Sequence, residues 1–215
     1  MTTLAPGPVD RWTDAGVRVL VCDDRGLFRR QVLLALEARP DLEVVAEHDQ
    51  PHRVRSLAAM AARHLPDVVV VGSRGVDADL PGILLALRGS SPASRLVVAL
   101  DDRSIGVRTA LVAAGAVGLV DRGGAESALA DVVDQVAGGG VHLPGDVLRA
   151  LARRVDATGP TLDLVGRVAG GEPLGAAAGA VGIDEAVAAG LLAGLVARVR
   201  SLGEAAAESG VDRPR

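Results

Sequence analysis

The chain has 215 residues, of which 49% are hydrophobic, and a formal net charge of −4. This length suits one large domain or two small ones, and the hydrophobic content is ample for a packed core. The negative charge excludes a general attraction to nucleic acid or anionic membranes, and the single cysteine, Cys22, excludes a disulfide framework. All 23 basic residues are arginine, which excludes any lysine-dependent chemical step.

Short apolar runs alternate with helix-like stretches from residue 17 to residue 138. The periodicity predicts strands over 17–22, 42–47, 67–71, 95–100 and 117–120. It predicts helices over 26–38, 51–64, 82–89, 104–114 and 125–138. Continuously apolar strands that alternate with helices indicate an α/β, doubly wound, five-stranded parallel sheet covered on both faces.

The pattern changes after residue 138, and the rest of the chain is predicted to be helical. The expected units are a linker helix and linker over 144–160, a small all-α domain over 161–201 and a frayed tail over 202–215. Residues 1–16 contain no apolar signal core, so we predict a disordered leader on a cytoplasmic protein. Asp184 and Glu185 split the C-terminal apolar stretch into halves too short to span a bilayer, which favours helices that pack on each other.

Several segments of the first 143 residues resemble a known family. The runs "VRVLVCDDRGLFRR", "PDVVVVG", "RLVVAL" and "AAGAVGLVDRG" are similar to the receiver domain of two-component response regulators of the NarL/FixJ type, over about residues 17–143. The resemblance implies a flavodoxin-like receiver fold and a role in signal transduction and transcription regulation.

The resemblance also implies a phosphorylation pocket made of five positions. In the family, two acids bind Mg²⁺, an aspartate accepts the phosphoryl group, and a Ser or Thr and a lysine contact it. The matching residues here are Asp23, Asp24, Gly72, Leu100 and Arg122. Gly72 has no side chain to accept a phosphoryl group, and two carboxylates alone hold Mg²⁺ weakly. We therefore predict a pseudo-receiver that works without aspartate phosphorylation or a cofactor, with Asp23 and Asp24 as weak candidate Mg²⁺ ligands at most.

Several interpretations of this altered pocket stay open. Asp23 and Asp24 either accept amide hydrogens at the start of the following helix or form an internal ion pair with Arg122 that fills the pocket. A small molecule that binds in the vacated space is a third hypothesis. The last is a substitute phosphoryl acceptor displaced along the loop; its candidates are Ser73, Asp77 and Asp79.

The C-terminal segment resembles a degenerate LuxR-type helix-turn-helix. "AAAGAVGI" (176–183) matches the first helix and its turn, and 184–199 matches the recognition helix. A four-residue spacing predicts one buried face made of Val187, Leu191, Leu195 and Val199. Positions that contact DNA in the family hold Ala188, Ala189, Gly190 and Gly194, which supply no donors or acceptors for base edges. Arg198 and Arg200 are weak candidates for phosphate contacts, in a segment (158–215) with five Arg and seven acids.

These features favour two functions. The first is a phosphorylation-independent regulator of transcription that binds DNA with help from a dimer partner. The second is a module without DNA binding that pairs with a related regulator and modulates it. Either way we expect a homodimer or heterodimer, and the dimer-face candidates are Val112, Val117, Leu119 and Leu129. The sequence contains no catalytic triad, metal cluster or glycine-rich phosphate loop, so an enzyme is not expected.

Overall fold

A computed structural model describes residues 16–72, 79–123 and 125–209, without the side chains of 125–127 and 206–209. All but the last residue of the predicted leader lies outside these residues, as do Ser73 and Asp77 of the candidate substitute acceptors.

The described strands form one parallel five-stranded sheet. They are β1 (Val17–Asp23), β2 (Leu42–His48), β3 (Val68–Gly72), β4 (Arg95–Leu100) and β5 (Ala116–Asp121). Their order in the sheet is β2-β1-β3-β4-β5. Every residue of β3 is buried, as expected of a central strand covered by helices on both faces. The predicted doubly wound fold is therefore confirmed.

Five of the described helices accompany the sheet: α1 (Gly26–Glu37), α2 (Val54–His64), α3 (Leu80–Ser90), α4 (Ile105–Ala114) and α5 (Ala125–Ala137). Two of them begin two or more residues away from the predicted start. The helix α2 starts three residues late, because Arg53 N–H bonds the Gln50 carbonyl at 2.9 Å and closes a turn first. The helix α3 starts two residues early, because the Asp79 side chain accepts the Gly82 N–H at 2.9 Å and caps it.

Within the part of the chain that the structure describes, four further helices follow: α6 (Gly145–Arg154), α7 (Gly159–Val168), α8 (Leu174–Val181) and α9 (Glu185–Ser209). The predicted linker is shorter than expected, since Pro160 is accommodated in the first turn of α7. The prediction of a frayed tail from residue 202 is wrong up to Ser209. Glu204 of α9 bonds Arg88 of α3 at 2.6 Å, and this contact to the rest of the molecule holds the added turns.

The helix α9 joins the two parts of the chain, because it packs on α4 as well as on α6, α7 and α8. Its buried face is made of Ala188, Leu192, Leu195, Val196 and Val199. The sequence assigned Val187 to this face, and that assignment is wrong, since Val187 is 51% exposed. Every face of α9 carries small apolar residues, so their spacing alone does not show which face is buried.

Candidate functional site

The five predicted pocket positions meet at one edge of the sheet. Asp23 ends β1 and is paired in register with Gly72, which ends β3. Arg122 follows β5, and its backbone N–H donates to the carbonyl of Leu100 at 3.2 Å. The carboxyl ends of the strands at a topological switch point are where open α/β sheets bind ligands, so the candidate site lies where the fold favours one.

Glycine at position 72 leaves the space that an ion pair fills. A Cβ atom built on Gly72 would lie 1.7 Å from Oδ2 of Asp23 and 2.9 Å from Nη2 of Arg122. The first distance is far inside van der Waals contact, so no side chain fits at this position while Asp23 and Arg122 stay in place. Glycine at position 72 provides no phosphoryl acceptor, and it also leaves room for the Asp23–Arg122 ion pair.

Arg122 forms a buried ion pair across the pocket. Its Nη2 contacts Oδ2 of Asp23 and lies 3.6 Å from Oδ1 of Asp24. The Arg122 side chain is 2% exposed and that of Asp23 is 1% exposed. The internal ion pair considered from the sequence is thus present. Because both side chains are buried, removing either one would strongly destabilise the fold, since the other charge would be left buried without a partner.

The second oxygen of Asp23 fixes the start of α1. Oδ1 accepts the backbone N–H of Arg25 at 2.6 Å. Asp23 therefore accepts an amide hydrogen at the start of α1 through Oδ1 and pairs with Arg122 through Oδ2, so both interpretations of this acid apply. The backbone carbonyl of Asp23 also accepts a hydrogen bond from Arg29 at 2.7 Å. Burial raises the pKa of the Asp23 carboxyl, while the Arg25 N–H and the Arg122 guanidinium oppose that rise. The carboxylate therefore depends on these two donors to stay charged.

This arrangement does not suit a Mg²⁺ ion. Both oxygens of Asp23 already have donors, and the Arg122 guanidinium places a positive charge where the ion would bind. Leu100 is 1% exposed, and its side chain offers no polar atom. In the ranges that the structure describes, no group of three His, Cys, Asp or Glu side chains is placed to hold a metal ion. The residues present do not fit the ion that the family resemblance implies.

The rest of the Arg122 side chain is enclosed by protein. Its Cζ lies 4.8 Å from the centre of the Phe28 ring, a cation–π contact. Among the described residues, its Nε and Nη1 are buried without a hydrogen-bond partner. An open cleft of about 590 Å³ lies beside it, between the start of α1 and Asp101. The space at Gly72 is filled by the ion pair, which argues against the hypothesis of a ligand inside that pocket.

A second ion pair next to the first was missed from the sequence. Arg108 of α4 is 4% exposed; its Nη2 contacts Oδ1 of Asp121, and its Nε donates to the carbonyl of Asp102 at 3.0 Å. Arg103 lies 3.3 Å from the other oxygen of Asp121. Arg108 ties α4 and the loop before it to the end of β5. The available signal was an arginine within the otherwise apolar helix "IGVRTALVAA".

The structure contradicts the proposed dimer face. Its four residues, Val112, Val117, Leu119 and Leu129, are all buried, with exposures of 0%, 9%, 2% and 0%. They belong to the core beneath α4 and α5, and α4 is itself covered by α6 and α9. Strands buried on both faces show no alternation in sequence, so an outward-facing position could not be distinguished there from an inward-facing one.

The two DNA-binding candidates lie in the second half of α9. Arg198 is exposed, but its Nη2 donates to the carbonyl of Val155 at 2.7 Å, at the end of α6. Arg200 is half-buried and close enough to Arg95 to lower the pKa of that residue, although burial lowers it more. A contact with phosphate is therefore still only a prediction for both arginines, and Arg198 already has a structural role.

Known proteins similar to this chain are response regulators or an activator. A glycerol metabolism activator from Pseudomonas putida is 26% identical over 139 residues, which cover 61% of this chain and 59% of that protein. The chain thus spans about three fifths of the length of the curated relative it matches. No family model matches the chain.

Solved structures give the clearer comparison. The signal receiver domain of the response regulator NarL from Mycobacterium tuberculosis is 26% identical, with a TM-score of 0.53 over 58% of this chain and 98% of that one. This chain has the receiver fold of response regulators. A LuxR-family response regulator from Aurantimonas sp. SI85-9A1 gives a TM-score of 0.56 at 19% identity, over 65% of this chain and 98% of that one. RcsB from Salmonella typhimurium gives 0.54 at 14% identity over 86% and 92% of the two chains, so the likeness extends into the helical part.

One described helix, α9, is long and apolar enough to cross a membrane, over Glu185–Ala205 and judged by length and composition alone. The same helix buries one face against four others, but only 28% of its apolar stretch is buried within the protein. The expectation that the stretch after Asp184 and Glu185 is too short to span a bilayer is therefore wrong by length, although a single helix of this kind is weak evidence for a membrane span.

Proposed function

We propose that this chain is a response-regulator-like protein that acts in transcription regulation without aspartate phosphorylation. The observation that carries the proposal is the Asp23–Arg122 ion pair, which lies where the Cβ of a residue other than glycine at position 72 would be. The protein supplies its own positive charge to the acidic residue, so neither a metal ion nor a phosphodonor has a task in this pocket.

The ion pairs favour a single resting conformation for the receiver part. Arg122 joins the end of β5 to β1, and the preceding residue, Asp121, joins β5 to α4 through Arg108. The helix α4 in turn contacts α9 of the helical part. A continuous set of contacts thus runs from the pocket to the C-terminal helices. We infer that regulation works through binding of partners to this one arrangement in the cytoplasm.

Phosphoryl transfer is the direct test. The full chain is incubated with acetyl phosphate and Mg²⁺ and its intact mass is measured, beside a receiver that retains its aspartate as a positive control. We expect no acyl-phosphate adduct on this protein under conditions that label the control. An adduct that is lost after hydroxylamine treatment would overturn the proposal.

A second function is favoured by the surface of α8 and α9. The helices are joined by Gly182, which has a left-handed φ of 79°, as a tight turn between two helices requires. The exposed residues of this part include Gly179, Ala186, Val187, Gly190 and Gly194. Such residues give no hydrogen bonds to base edges, so this part of the chain is suited to contact a protein, as in a module that pairs with a related regulator.

Binding to duplex DNA separates the two functions. Fluorescence polarisation with a mixed pool of labelled duplexes at low and at moderate salt measures both the affinity and its salt dependence. A DNA-binding regulator would bind at low salt, and its affinity would fall steeply as salt rises. Absence of binding at low salt would leave the interaction module, as a homodimer or a heterodimer.

A further inference from the structure

A cavity of about 360 Å³ lies between the receiver part and the helical part, away from the Arg122 pocket. The receiver part contributes Gln135, Val141 and His142 to its walls, and the helical part contributes Leu148, Leu174 and Leu192. Its volume falls within the range of about 300–1,000 Å³ typical of small-molecule sites. Because both parts of the chain build it, a molecule inside would touch both at once.

A pair of polar side chains gives one side of this cavity a defined chemistry. Gln135 donates its Nε2–H to the carbonyl of Val141 at 3.0 Å. Its Oε1 lies 3.2 Å from Nδ1 of His142 and therefore accepts the Nδ1–H. In a neutral imidazole this leaves Nε2 with a free lone pair, and among the described residues no hydrogen bond to that atom is found.

The position of His142 is fixed by the sheet. Its backbone N–H donates to the carbonyl of Val117 at 2.9 Å, and its carbonyl accepts the N–H of Leu119 at 2.8 Å. The residue thus extends the sheet by one bridge beyond β5. Burial lowers the pKa of the imidazole, so the neutral form with its free acceptor predominates at pH 7. The acceptor is held in place before any ligand arrives, which reduces the loss of entropy on binding.

We propose that this cavity binds a small, mostly apolar molecule that carries one hydrogen-bond donor, and that His142 accepts this donor through Nε2. The leucines bury the apolar body of the ligand, and Gln135 holds the imidazole in the required tautomer. A bound molecule stabilises the docked arrangement of the receiver and helical parts. The site provides a chemical input that is independent of the pocket at Gly72.

Indole and benzothiophene test the proposal on the full chain, because they share a shape and only indole has an N–H donor. Binding is followed by ¹H–¹⁵N chemical shifts of the amides of Val141 and Leu192 up to the solubility limit of each probe. We expect saturable shifts with both probes and about three- to tenfold tighter binding of indole, the range of a single net hydrogen bond. In His142→Phe the preference for indole is expected to disappear while benzothiophene still binds.

Variants that fill the cavity provide a second test of the proposal. Ala189→Phe, at the wall contributed by α9, is expected to abolish the shifts for both probes, and Leu174→Trp serves if the first variant does not fold. Ala176→Phe places the same ring on the exposed surface of α8 and is expected to leave binding unchanged. The proposal is overturned if neither probe shifts these amides, if the filled variants bind as the wild type does, or if indole and benzothiophene bind equally well.

Discussion

Removal of Arg122 tests the energetics of the pocket. In Arg122→Ala the Asp23 carboxylate, 1% exposed, loses its partner, and breaking such a pair typically costs about 3–5 kcal/mol. Uptake of a proton limits this cost. Because burial already raises the pKa of this carboxyl and Arg122 no longer opposes that rise, the variant takes up a proton more readily as pH falls. The loss of stability is therefore smaller at pH 5 than at pH 7.

Urea unfolding of four proteins measures this energy: the wild type, Arg122→Ala, Asp23→Asn and the double variant. We expect the loss in Arg122→Ala to be larger at pH 7 than at pH 5, because a raised pKa in the folded state removes stability as pH rises through it. Asparagine keeps an acceptor for the Arg25 N–H, so the double variant should recover most of the loss. Arg103→Ala removes an arginine that is 76% exposed and should change stability by less than about 0.5 kcal/mol. A loss below about 1 kcal/mol in Arg122→Ala at pH 7, or equal losses at both pH values, would show that Asp23 does not depend on Arg122.

Gly72, two histidines and Arg198 give three further predictions. Gly72→Ala should lower the free energy of unfolding by about 1–3 kcal/mol through overpacking, whereas Gly106→Ala, with nothing within 4 Å of the added carbon, should not; equal effects would contradict the fit of glycine to the pocket. Burial lowers the pKa of His48 and of His142, so the unfolded chain takes up protons first and stability should fall as pH drops below about 6.5; His142→Gln should flatten this fall, and an unchanged slope would exclude its contribution. Arg198→Ala should remove the hydrogen bond to the end of α6 without changing the affinity for DNA in polarisation assays. A loss of affinity would show that Arg198 contacts DNA.

The sequence predicted the sheet well because its strands are buried on both faces. Runs such as Val68–Val71 are apolar throughout and are bounded by polar residues or glycine, which leaves little ambiguity about where a strand lies. The pocket could be assigned because the resemblance to NarL/FixJ-type receivers implied its five positions; all five lie at or next to strand ends, which a parallel sheet brings to one edge. The ion pair could be proposed because Arg122 carries a positive charge, and Asp23 and Asp24 need one where no Mg²⁺ ion is expected to bind.

Contacts between distant elements were not accessible in the same way. The extension of α9 to Ser209 rests on Arg88 of α3, which is 116 residues from its partner Glu204. The burial of Val112 follows from the sheet and from helices that cover α4. The wrong phase assigned to α9 at Val187 has a local cause, since alanine and glycine give a helix little contrast between its faces.

NMR of the arginine side chains in protein labelled with ¹⁵N-arginine shows whether the Asp23–Arg122 ion pair occupies the pocket. A guanidinium held by a buried carboxylate gives separate, slowly exchanging Nη–H signals, whereas exposed arginines average theirs with water. We expect one such set to vanish in Arg122→Met and to shift in Asp23→Asn. If the Nη–H protons of Arg122 instead exchange with water like those of an exposed arginine, the ion pair does not occupy the pocket. That result would contradict the proposal that the protein acts without phosphorylation.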